Sequence, residues 1–255
     1  MRETTASVRT RDGEMPAHLF VPDDVATCPG LVVYMDAFGI RDELFDICRR
    51  YATAGYAVYL PDLYYRLGGL RFPPANRRGE PLPAGMQDAN RATTIAMTAS
   101  DLDGLIAFAD RGGAGAAVAG LGAVGFCMGG RHAVAAAAAR PDRVGFAASI
   151  HGGQLVTDRA DSPHHLIART IVPLHFAFAR DDETCPDDHQ RLIETIAAGT
   201  AGRVTCTRHA AHHGWSFPER WCFDRSAADL VWTRVLRLAR ETLWQPHTPR
   251  RLPLT

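Results

Sequence analysis

Apolar residues along this chain gather in short unbroken runs, separated by stretches in which they recur at helical spacing. The first stretch departs from that scheme. SVRTRDGEMPAHLFVP holds two short extended runs around Asp12-Gly13, a common hairpin-turn pair, and predicts an antiparallel hairpin. After Pro29-Gly30 comes LVVYMD, an apolar run rich in β-branched residues that suits a strand buried on both faces. YAVYLPD, LGAVGFC, VGFAASIHGG (144–153), IVPLHFAFARDD and RVTCTRHA repeat the strand signal. Helix patterns lie between them. DELFDICRRYATAG sets Leu44, Phe45, Ile47, Cys48 and Tyr51 at helical spacing and offers Gly55 as a stop. DANRATTIAMTASDLDGLIAFAD predicts one helix that buries Ile95, Met97, Leu102, Leu105, Ile106 and Phe108. An alanine-rich helix starts near Met128, DDHQRLIETIAAG predicts another, and SAADLVWTRVLRLARETLW a closing one. Alternation of strand and helix after a hairpin argues for an α/β fold: a mostly parallel sheet with helices on both faces.

Residues 66–88 are rich in Gly, Pro and Arg and read as a long surface loop of the kind that often covers an active site. No internal repeat breaks the pattern, so residues 1–255 read as one domain, with a loose tail over 246–255. Composition narrows the function classes. Lys plus Arg and Asp plus Glu balance at 28 each, with no basic run, so neither nucleic acid nor an anionic membrane is a favoured partner. No apolar stretch reaches bilayer length, and the first residues lack the charged-then-apolar layout of a signal peptide; a cytoplasmic protein is the expectation. The six cysteines are scattered with no CxxC, which reads as reduced thiols rather than a disulfide framework or a zinc site.

One cysteine stands apart. Gly125-Phe126-Cys127-Met128-Gly129 fits the nucleophile-elbow pattern G-x-Nu-x-G, between a predicted strand and a predicted helix. Such a turn strains the backbone at the nucleophile, so the residues two before and two after must be tiny, and the following helix aims its first amides at the sulfur. A buried cysteine in a glycine-rich turn is the bland alternative. An elbow needs an acid and then a histidine downstream. Asp181-Asp182 follow the strand IVPLHFAFA, and His212-His213 follow RVTCT. Neighbouring histidines point apart and no third ligand is spaced to meet them, so a metal reading is set aside and no cofactor is called for. With Cys127 as nucleophile, the backbone N–H groups of Met128, just after it, and of Ala37, after LVVYM, would hold an oxyanion.

The stretches YMDAFGIRDELFDICRRYATAGYAVYLPDLYYR, VGFCMGGRHA, FARDDETCP and HHGWSFP together resemble the dienelactone hydrolase family of α/β hydrolases, across roughly residues 30 to 225. The resemblance implies a hydrolase of small carboxylic esters or lactones that works through a thioester. In it Cys127 is the nucleophile, His213 the base and Asp182 its orienter. Asp182 has the D-x-x-x-P spacing to Pro186, and His213 directly precedes Gly214-Trp215. Two departures stand out. Asp36 occupies the place of a family glutamate thought to switch the thiol, one methylene shorter. An arginine expected soon after the histidine arrives only at Arg220, after Trp215-Ser216-Phe217-Pro218. Asp36, Tyr64, His151, Trp215 and Arg220 are therefore the candidate lining of the pocket, which Trp215 or Phe217 would make more apolar. Arg66, Arg77 and Arg78 lie on the covering loop. A ligand-binding protein with a degenerate site, or a redox-sensing thiol, are the competing readings. The closing helix can pack on its own domain or on a neighbouring copy, so a homodimer is compatible with the sequence.

Overall fold

The computed structural model describes residues 1–244, so the expected tail lies outside the described residues. Eight strands form one sheet in the order β1-β2-β4-β3-β5-β6-β7-β8. β1 (Arg2–Thr10) and β2 (Gly13–Val21) are the hairpin, turning at Asp12-Gly13 where Gly13 takes φ 137°. β2 pairs antiparallel with β4 (Ala57–Pro61). From β4 onward every pairing is parallel, through β3 (Thr27–Tyr34), β5 (Ala117–Phe126), β6 (Val144–Ile150), β7 (Leu174–Asp181) and β8 (Val204–His212). The expected α/β architecture is what the chain adopts.

The apolar runs become central strands because both faces are covered. α1 (Asp42–Thr53) and α7 (Arg225–Leu243) lie together on one face, Tyr51 against Trp232 with ring centres 4.5 Å apart. α7 buries Ala227, Val231, Val235, Ala239 and Leu243, a stripe at i, i+4 spacing. The other helices contact one another in turn: α3 (Ile95–Asp110), α4 (Met128–Ala139), α5 (Pro163–Arg169) and α6 (Asp187–Ala198). α4 is buried from Met128 through Ala137, which explains its alanines: small side chains let a wholly enclosed helix lie close against β5 and β6.

Three expectations need correction. The helix read over 88–110 is two helices, α2 (Met86–Ala92) and α3, parted at Thr93-Thr94. The carbonyls of Asn90 and Thr93, freed by the break, accept hydrogen bonds from the Arg131 guanidinium of α4 at 2.8 and 3.1 Å. A buried cation thus replaces the amides that a continuous helix would supply. The strand read over 144–153 ends at Ile150, because His151 turns to φ 38°. The covering loop is shorter than read, with a 3-10 turn at Tyr65–Leu67 and α2 starting at Met86.

Candidate active site

In a parallel sheet, the residues that follow the strands' carboxyl ends meet along one edge. Asp36 follows β3, Cys127 follows β5, His151 follows β6, Asp182 follows β7 and His213 follows β8. Strand direction alone therefore gathers side chains that lie far apart in the chain.

Cys127 holds φ 51° and ψ −114°, a left-handed backbone that side-chain-bearing residues rarely adopt. The glycines around it are required by contact. A Cβ on Gly125 would sit 1.9 Å from the Gly129 carbonyl oxygen, and one on Gly129 would sit 2.2 Å from the Tyr34 carbonyl oxygen. A Cβ on Gly130 would meet the Ser149 hydroxyl at 2.4 Å. The turn is held by the Cys127 N–H donating to the Ile150 carbonyl at 3.1 Å and by the Gly153 N–H donating to the Cys127 carbonyl at 3.1 Å. Cys127 itself is only partly buried, whereas Cys28, Cys48, Cys185 and Cys222 are buried.

The paired acids and histidines separate by strand geometry. Neighbours on a strand point to opposite faces, and Asp181 stands in register with His212 across β7 and β8. Those two meet at the surface, His212 Nδ1 to Asp181 Oδ2 at 2.6 Å. Their neighbours meet inside: His213 Nδ1 lies 2.7 Å from Oδ2 of the buried Asp182. The other carboxylate oxygen, Oδ1, accepts from the Thr184 N–H at 2.8 Å, the Thr184 hydroxyl at 2.7 Å and the Cys185 N–H at 3.3 Å. Asp182 is thereby fixed as an acceptor and fixes the histidine in turn. The opposite ring nitrogen, Nε2, is buried and makes no completed hydrogen bond within the described residues; Cys127 is the neighbour whose sulfur acts on this ring. Burial opposes charge on His213, but the Cys127 sulfur and Asp182 outweigh it and hold the ring's pKa well above the ordinary histidine value.

Of the residues read as pocket lining, four form a layer behind the site. Asp36 is buried, with Oδ1 accepting from the Phe38 N–H at 3.1 Å and both oxygens gripped by Arg41 at 2.7 and 2.9 Å. That carboxylate anchors the β3 loop, with no bond to Cys127. Tyr64 is fully buried; its hydroxyl donates to the Ala37 carbonyl at 2.9 Å and also touches Met128 Sδ at 3.5 Å. It therefore ties Ala37 to Met128, and neither of their amides donates a hydrogen bond elsewhere among the described residues. His151 is fully buried, its Nε2 lies 2.7 Å from the Ser216 hydroxyl, and its ring meets His213 edge-on with centres 5.2 Å apart. Burial, with His213 beside it, pushes the His151 pKa well down, so the ring stays neutral. Trp215 is also fully buried, and its ring meets His151 edge-on, 5.4 Å between ring centres. Phe217 packs in the same layer, under the Arg41 guanidinium at 4.7 Å.

Arg220 is half-buried and binds the covering loop: its Nε–H donates to the Ala75 carbonyl at 3.1 Å and its guanidinium lies 4.7 Å from the Phe38 ring centre. The loop also rests on the β3 turn, where the Phe72 N–H donates to the Phe38 carbonyl at 2.8 Å. Arg78 reaches Asp181 at 3.9 Å, whereas Arg66 is turned away to Asp12 and Asp101. Three contributors escaped the sequence reading. Thr184 carried a usable signal, since Asp-x-Thr readily closes an Asx turn. Arg41 and Arg131 carried none, because their partners are set by tertiary approach. Among the described residues no group of three or more His, Cys, Asp or Glu side chains is placed to hold a metal ion, and no helix is long and apolar enough to cross a membrane.

Residues 15–243 match the family model described as "Dienelactone hydrolase family". A protein of Yersinia pestis provisionally named carboxymethylenebutenolidase is 27% identical over 241 residues, covering 92% of this chain and 85% of its own. A protein of Methylorubrum extorquens with the same provisional name is 33% identical over 121 residues, which are 48% of this chain and 39% of that one. A crystal structure from Klebsiella pneumoniae, titled as a dienelactone hydrolase, superposes with a TM-score of 0.80 at 21% identity, covering 93% of this chain and 97% of its own.

Proposed function

The chain belongs to the dienelactone hydrolase family, and on that premise we propose that it hydrolyses small carboxylic esters or lactones through a thioester on Cys127. The observation that carries the reading is the convergence of a strained, partly exposed cysteine with a histidine locked at Nδ1 by a buried carboxylate 2.7 Å away. An imidazole held in that tautomer has its other nitrogen free to accept a proton.

In the first half-reaction His213 Nε2 takes the Cys127 thiol proton and the thiolate attacks the ester carbonyl. Negative charge develops on the carbonyl oxygen, where the N–H groups of Ala37 and Met128 receive it. The intermediate collapses with cleavage of the carbon–oxygen bond, and the imidazolium returns its proton to the departing alkoxide. In the second half, water gives a proton to His213, attacks the thioester and releases the acid and the thiol. Because Arg41 and the Phe38 amide engage Asp36, thiol deprotonation falls to His213. The alternative of a ligand-binding protein with a degenerate site predicts binding without acylation. Aryl acetates and small enol lactones separate the two. The wild type should turn them over and be silenced by a thiol alkylator, and Cys127→Ala should lose at least about a thousandfold in kcat/KM. Full activity after alkylation of Cys127 would refute the proposal.

A further inference from the structure

Outside the triad, a buried arginine carries a charge that the mechanism does not use. Arg131 lies one helical turn beyond Cys127 on α4 and is only 6% exposed. Its contacts are to neutral acceptors: Gln154 Oε1 at 2.7 Å, the Asn90 carbonyl and side-chain oxygen at 2.8 Å each, and the Thr93 carbonyl at 3.1 Å. A buried charge whose direct contacts are all neutral is costly, and that cost is offset when a ligand brings opposite charge against it. Those four contacts leave the Nε–H and one Nη1–H of the guanidinium without an acceptor among the described residues.

Arg131 forms part of the wall of a cavity of about 320 Å³ that neither Cys127 nor His213 lines. Arg91 of α2 and Arg159 of the loop after β6 stand at its rim, with side chains 63% and 68% exposed. Asp161, paired with Arg159, is the one carboxylate in the lining; Asp88 pairs with Arg91 outside it. Thr94 and Ile95 also line it, and there α3, 16 residues long, begins with no side-chain cap and no acid in its first turn. Uncapped first-turn amides and an excess of guanidiniums both favour an anion. Guanidiniums carried on three separate elements, α2, α4 and the β6 loop, suit a tetrahedral oxyanion, which presents acceptors on several sides, better than the two in-plane oxygens of one carboxylate.

We propose that this cavity is a phosphate-binding site, built on Arg131 and closed at its rim by Arg91 and Arg159. It shares a wall with the candidate active site. Gln154, the partner of Arg131, directly follows Gly153, whose N–H donates to the Cys127 carbonyl. The phosphate is either free or carried on an organic molecule that extends past that wall.

Isothermal titration calorimetry of the full chain with inorganic phosphate, at ionic strength held constant with chloride, tests the site independently of any turnover. Saturable one-to-one binding is expected. Arg131→Gln should weaken it about tenfold to a hundredfold, as loss of a charge-assisted contact does. Because Arg131 also bridges α2 and α3, Arg159→Glu at the exposed rim serves as the second variant and should weaken binding at least tenfold. Glycerol phosphate binding at least tenfold tighter than inorganic phosphate would assign the site to an organic phosphate; equal or weaker binding would assign it to the free ion. No heat up to millimolar phosphate overturns the proposal. Binding that Arg159→Glu leaves unchanged overturns it as well.

Discussion

Asp182 differs from Asp181, and His213 from His212, only by one step along a strand, yet the chemistry open to each pair is different. The surface pair meets in the open, while the inner pair sits beside the sulfur with both carboxylate oxygens engaged. D-x-x-x-P spacing and the Gly-Trp that follows His213 singled out Asp182 and His213 in the sequence; strand parity explains why only one residue of each doublet turns inward. Asp182→Asn keeps the shape but presents an amide to Nδ1, so kcat should fall about a thousandfold to ten-thousandfold with the fold intact by circular dichroism. Thr184→Val removes the hydroxyl that donates to Asp182 Oδ1. Hydrogen bonds to charged groups are worth about 1.5–3 kcal/mol, so a roughly tenfold or greater loss in kcat is expected in steady-state assays.

At the level of elements, the strand–elbow–helix unit is the most constrained part of the chain. Gly125 and Gly129 are dictated by backbone oxygens that cannot move without displacing β3 or α4. Gly125→Ala should therefore destabilise the protein by at least about 3 kcal/mol, measured as a lowered denaturant midpoint, with little folded protein if the turn fails outright. This unit was legible because its rule is local: one strained residue, small neighbours and a helix behind it. The α2–α3 break was not. Apolar spacing runs on through Thr93-Thr94, and the partner that stabilises the interruption is an arginine some forty residues further on.

The whole molecule brings burial into the ionisation of the site. His213 has a folded-state pKa raised above its ordinary value, because Cys127 and Asp182 outweigh desolvation. A group of this kind contributes stability that is fully present below its unfolded pKa, about 6.5, and is lost as pH rises through the folded value. Removing the carboxylate charge shrinks that contribution. Urea titrations should show the wild type losing more stability than Asp182→Asn as pH rises above about 6.5; parallel profiles would contradict the assignment of charge. The covering loop belongs to this scale too, since its contacts with the β3 turn, Arg220 and Asp181 join segments that only the folded sheet brings near.

By itself the sequence determined the order of strands and most helices, the hairpin, the glycine-framed cysteine and the Asp and His doublets at the ends of two strands. These are encoded in periodicity and local sterics, which need no knowledge of distant segments. Tertiary structure alone decided which polar groups are already engaged. Arg41 takes up Asp36, so that carboxylate became a loop anchor; Tyr64, His151 and Trp215 became a buried backing. Side-chain pairing and exposure depend on which elements approach one another across the sheet, and spacing along one chain does not carry that information.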